Sequence, residues 1–100
     1  MFKCCNSDYS RGFHITFENG WTVSVQFAPG NYCENRRLDF KNSPNQCKDA
    51  EIAAWDSNGD WYKFAHDTVE GWQTPNQVLE FMNTISKLPP SVKKESANES

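Results

Sequence analysis

Residues 13 to 17 read Phe-His-Ile-Thr-Phe and residues 21 to 27 read Trp-Thr-Val-Ser-Val-Gln-Phe, apolar and polar in strict alternation. A period of two sends every second side chain to one face, so each run predicts a half-buried strand. So short a link between them makes a hairpin, and the alternation selects its loop. A two-residue turn at Asn19-Gly20 sets Phe17 against Thr22 and Ile15 against Ser24, apolar opposite polar. A three-residue loop, Glu18-Asn19-Gly20 with Gly20 left-handed, pairs Phe17 with Trp21, Ile15 with Val23 and Phe13 with Val25. This second register is the expected one. It sets His14 opposite Ser24 and Thr16 opposite Thr22 on the reverse face.

A second hairpin is expected from Ala50 to Phe64, with Ala50 to Asp56 as one strand and Asp60 to Phe64 as the other. A three-residue turn at Ser57-Asn58-Gly59 puts Ile52, Ala54, Tyr62 and Phe64 on one face and makes Trp55 and Trp61 a cross-strand pair on the other. A two-residue turn at Asn58-Gly59 pairs Trp55 with Tyr62 instead, and both stay open. Thr74-Pro75 with Gln77 three residues after the cap predicts a helix start. Val78, Leu79, Phe81, Met82, Ile85 and Leu88 then recur at helical spacing for about four turns, and Pro89-Pro90 stops them. The expected fold is therefore α+β: a four-stranded antiparallel sheet of two hairpins, with one C-terminal helix packed on one face.

At 100 residues the chain makes one domain, placed over residues 1 to 90, with residues 91 to 100 short of apolar side chains and expected to be a disordered tail. Hydrophobic residues at 37% and aromatic ones at 14% supply a core whose bulk comes from large rings. A formal charge of -3 argues against duplex DNA as a partner. No apolar run approaches membrane length, and Met1 to Asn6 lacks the apolar centre of an export signal, so no membrane association and an intracellular location are expected. In that setting Cys4, Cys5, Cys33 and Cys47 are expected to be reduced. Neither adjacent Cys4-Cys5 nor the wide gap from Cys33 to Cys47 supplies a zinc knuckle, so neither a metal nor a cofactor is expected.

One helix covers one face of such a sheet. The other face would carry His14, Thr16, Thr22, Ser24 and Gln26 from the first hairpin with Trp55, Trp61 and Lys63 from the second. Two indoles on an open face ask for a ligand or a partner copy. Residues 28 to 49 form a loop longer than small domains usually carry without purpose, and it brings Tyr32, Asn35, Arg36 and Arg37. Rings that stack on bases and guanidinium groups that pair with phosphate suit a nucleotide. The plainer readings are solvated arginines paired with Asp39 or Glu34, tryptophans that pack in the core or a dimer, and a neutral surface-strand His14. No phosphate-binding glycine loop, His-Glu-x-x-His or nucleophile elbow occurs, so catalytic residues are not expected.

The segment from His14 to Phe27, then Pro29-Gly30-Asn31-Tyr32-Cys33 and Asn35-Arg36, resembles a family of small, mostly uncharacterised proteins of tailed bacteriophages. The resemblance continues through Ala50 to Asp56, Asn58 to Trp61 and Gly71 to Pro75, covering most of residues 12 to 88. It implies an accessory protein in the host cytoplasm. By analogy with such proteins, it implies an antagonist of host defence that sequesters a nucleotide immune messenger, with protomers meeting at the pocket in a homo-oligomer. The ligand-binding residues would be drawn from His14, Thr16, Thr22, Ser24, Tyr32, Asn35, Arg36, Arg37, Trp55 and Trp61. A protein-binding inhibitor of a host defence enzyme is the alternative. An enzyme that degrades the messenger through His14 or His66 is a third.

Overall fold

A computed structural model of the chain describes residues 1–91. Five strands, β1 (Phe2–Asn6), β2 (Arg11–Thr16), β3 (Thr22–Gln26), β4 (Ala50–Trp55) and β5 (Glu70–Gln73), precede one helix, α1 (Pro75–Ser86). All neighbours are antiparallel, and the sheet runs β1-β2-β3-β4-β5. The first hairpin has the three-residue loop: Phe13 faces Val25, His14 Ser24, Ile15 Val23 and Thr16 Thr22. Gly20 closes it at φ 89°, donating its amide to the Phe17 carbonyl at 3.0 Å.

The sheet has five strands rather than the expected four, for two reasons. Phe2 to Asn6 pairs with β2, although too few of its side chains alternate to announce a strand. As an outer edge its side chains stay largely exposed, so burial left little periodicity in the sequence. The second hairpin closes with the three-residue turn, where Asp56 Oδ1 accepts the amides of Asn58 at 2.8 Å and Asp60 at 3.0 Å. Its return arm keeps one bridge, Trp55 to Trp61, and then leaves the sheet. Tyr62 and Phe64 turn instead onto Phe81 of α1, with ring centroids at 5.6 and 5.2 Å. The vacated edge of β4 is filled by β5, which pairs Ala50 with Gln73 and Ile52 with Glu70 across a bulge.

The helix starts where its local signals place it. Thr74 Oγ1 accepts the Gln77 amide at 3.3 Å, Gln77 Oε1 accepts the Thr74 amide at 2.8 Å, and Pro75 occupies the first turn. It packs on β3, β4 and β5. Val78 and Ile85 join Val23, Val25, Ala50, Ile52 and Ala54 in the core. The largest fully buried side chains are Ile52, Ile85, Val23 and Cys33, so the rings form the rim of the core and aliphatic groups its centre. Leu79, expected inward, is 54% exposed. It sits about 100° round the helix from Val78 and misses the buried stripe.

Asn19 does more than turn the chain. Its Nδ2 donates to the carbonyls of Ile85 at 2.8 Å and Leu88 at 3.1 Å, so the hairpin loop caps the carbonyl end of α1. Of the expected tail only Ser91 lies within the described residues. Its amide donates to the Asn19 carbonyl at 2.7 Å, and its Oγ meets that of Ser57 at 2.7 Å.

Candidate ligand-binding face

The sheet face opposite α1 is set by parity along each strand. Because Ile52 and Ala54 point into the core, Glu51, Ala53 and Trp55 point the other way, beside Thr22, Ser24 and Gln26 of β3 and Thr16, His14 and Gly12 of β2. At one end of this face His14 meets Trp55 edge-on at 5.0 Å, and Trp55 meets Trp61 at 5.1 Å. β2 and β4 lie two strands apart, about 9.5 Å, so the His14 and Trp55 rings must lean over β3 to come that close. Ser24 is accordingly buried, its Oγ accepting from Gln26 Nε2 at 3.2 Å. Thr16 and Thr22 share a hydroxyl hydrogen bond of 2.8 Å. Trp61 remains 47% exposed.

The other end is built by the long loop, which contains two single 3-10 turns at Glu34–Arg37 and Phe40–Asn42. Glu51 anchors it. One carboxylate oxygen accepts the Tyr32 amide at 2.8 Å, and the other accepts Asn31 Nδ2 at 3.4 Å. Tyr32 then lies against Gly71 of β5, where a side chain would collide with its Cβ. The Arg36 guanidinium sits 4.4 Å above the Tyr32 ring, and the Trp72 ring lies 5.7 Å from it. Trp72 takes a left-handed backbone, φ 51°, which costs a non-glycine residue about 1–3 kcal/mol. Its amide donates to the Tyr32 carbonyl at 2.7 Å, and its side chain is 54% exposed.

Two aromatic clusters thus share one face. Trp55 and Glu51 are four residues apart on β4, so the clusters are separated by about 13 Å. The arginines do not pair as the plainer reading expected. Among the described residues the salt bridge at Glu34 goes to Lys48 at 3.6 Å, and Asp39 accepts the Lys41 amide at 3.0 Å. Arg36 stacks instead, and Arg37 stands exposed beside it on the same 3-10 turn.

Comparison with protein-family models, curated proteins and solved structures finds no match to this chain. The site therefore rests on its own geometry.

Of the sequence-derived candidates, Trp55, Trp61 and His14 come together at one end, with Thr16 and Thr22 in the adjoining row, and Tyr32 and Arg36 at the other end. Asn35 serves the scaffold: it is buried, and its Nδ2 donates to the carbonyls of Phe27 at 2.9 Å and Gln46 at 3.1 Å. Trp72 was not among the candidates. Its signal was the tryptophan in Gly71-Trp72-Gln73, just before the helix cap, but its partner Tyr32 lies 40 residues away. Away from this face, Cys33, Cys47 and Asp49 converge despite the wide spacing that argued against a metal. Burial pushes the Cys33 thiol up to about 12. No described helix is long and apolar enough to cross a membrane.

Burial, and then the charge of Lys3 opposite it, lowers the pKa of His14 below the ordinary 6.5. As pH falls below that value the unfolded chain binds a proton at His14 before the folded chain does. This contribution to stability is therefore fully present above pH 6.5 and declines as pH falls through the window to the lowered value. Urea midpoints measured on both sides of pH 6.5 should show this slope in the native chain and a shallower one in His14→Gln. Equal slopes would refute it.

Proposed function

We propose that this chain is a phage accessory protein that binds a nucleotide messenger of host defence and holds it without chemical change. The observation that carries the reading is the stack of Arg36 on Tyr32 beside Trp72, on the same face as Trp61, Trp55 and His14. Exposed indoles offer stacking surfaces to bases. A guanidinium group that no described carboxylate occupies keeps its donors for phosphate. Copies of the chain would enclose the ligand by bringing two such faces together.

A thermal-shift screen of the purified chain against mononucleotides, cyclic dinucleotides and ADP-ribose derivatives tests this. Ligand at 100 times its Kd should stabilise the protein by about 2.7 kcal/mol, and heat denaturation should return it intact. Each base-stacking contact contributes about 1–3 kcal/mol, so Trp61→Ala should weaken binding by about 5- to 150-fold. Arg36→Ala should weaken phosphate-bearing ligands most. A cleaved product would instead assign an enzyme.

A second reading, inhibition of a host defence enzyme, is favoured by β1, whose outer edge has no strand partner among the described residues and whose Phe2 is 78% exposed. Co-purification of a host protein, with no nucleotide shifting the melting temperature, would select it.

A further inference from the structure

Where the long loop rejoins the sheet, the Sγ atoms of Cys33 and Cys47 and a carboxylate oxygen of Asp49 all lie within 4.8 Å of one another. The three residues come from different places. Cys33 immediately precedes the first 3-10 turn, Cys47 lies near the end of the loop, and Asp49 stands immediately before β4.

We propose that Cys33, Cys47 and Asp49 hold a thiophilic divalent cation, with zinc the ion whose ligand preferences they match. Two sulfurs and one carboxylate oxygen form a donor set that selects against magnesium and calcium, which prefer oxygen alone. Tetrahedral zinc, with Zn–S of about 2.3 Å, sets two sulfurs about 3.8 Å apart. Donors already within 4.8 Å reach that spacing through small side-chain rotations. The carboxylate is oriented for the task, since Asp49 Oδ1 accepts the Glu34 amide at 2.8 Å as well as Cys47 Sγ at 3.5 Å. Room for a fourth ligand adjoins the cluster. Cys47 and Asp49 line a cavity of about 240 Å³ whose other walls include Val25, Phe27 and Val78.

Binding replaces two thiol protons with one divalent ion and releases both protons to solvent. The bound ion would tie the beginning of the loop to its end. It would thereby fix the segment that carries Arg36, whatever ligand the sheet face takes.

Cobalt(II) is the spectroscopic probe. Reduced, chelator-treated full-length protein titrated with Co2+ should develop a sulfur-to-cobalt charge-transfer band and the strong visible bands of tetrahedral cobalt. Both should saturate at one ion per chain and disappear when zinc is added. Cys47→Ser should lose about half the charge-transfer intensity and bind at least about tenfold more weakly. Asp49→Asn should keep the charge-transfer band but also weaken affinity, and a Cys4→Ser, Cys5→Ser double variant should match the native chain. The proposal is overturned if the folded, reduced protein gives no charge-transfer band, or if the band survives Cys47→Ser unchanged. A Cys33–Cys47 disulfide in protein purified anaerobically without added oxidant also overturns it.

Discussion

Gly71→Ala should dismantle one end of the candidate face while leaving the hairpin at the other end in place. A Cβ at this position would lie 2.4 Å from Tyr32 Cβ and 2.9 Å from the Tyr32 carbonyl oxygen. Neither atom yields easily. The Tyr32 amide is tied to Glu51, and its carbonyl accepts the Trp72 amide. Relief requires lifting Tyr32 off β5, which separates its ring from Trp72 and takes Arg36 with it. Overpacking of this kind costs about 1–3 kcal/mol, and loss of the Trp72 hydrogen bond adds about 0.5–1.5 kcal/mol. Near-ultraviolet circular dichroism should lose the Tyr32–Trp72 coupling, tryptophan emission should shift to the red, and any nucleotide that stabilises the native chain should bind at least about tenfold more weakly. A variant with native spectra and a melting temperature within a few degrees would show that the loop does not rest on Gly71 as described.

Ile85→Ala should produce the largest loss of stability, about 2–5 kcal/mol. The side chain is fully buried where α1 meets the sheet, and Asn19 holds the Ile85 carbonyl, so the helix end cannot settle inward to fill the space. For a domain of this size each kcal/mol moves the melting temperature by about 4–8 °C, which makes the expected drop about 8–40 °C. Leu79→Ala, on the exposed side of the same helix, should stay within about 0.5 kcal/mol. Comparable losses from the two variants would contradict the orientation of α1. Urea unfolding of both, with equal slopes, checks the comparison.

The correct expectations share a property: each depended on groups close in sequence. The three-residue loop followed from Phe17 and Trp21 needing the same face, and the helix start followed from Thr74, Pro75 and Gln77 within one turn. The Trp55–Trp61 pair is the outcome of the three-residue turn, one of the two registers that the residue order left open. The failures began where local preference was balanced and distant packing decided. Tyr62 and Phe64 alternate well enough for a strand, yet their rings pack against Phe81 of α1 rather than continuing a strand along the edge of β4.

The candidate site divides along the same line. His14, Thr16, Thr22 and Ser24 share a face because side chains alternate along a strand, and that much is written in the residue order. Placing Tyr32 against Gly71, Arg36 over Tyr32 and Asn19 at the end of α1 took contacts between residues far apart in the chain. Residue order alone determined the first hairpin, its register and the capped helix, since strand period, turn geometry and capping act over a few residues. Tertiary structure decided the fifth strand, the Trp72 platform and the meeting of Cys33, Cys47 and Asp49, because closing a long loop is settled by everything packed around it and not by the spacing of its ends.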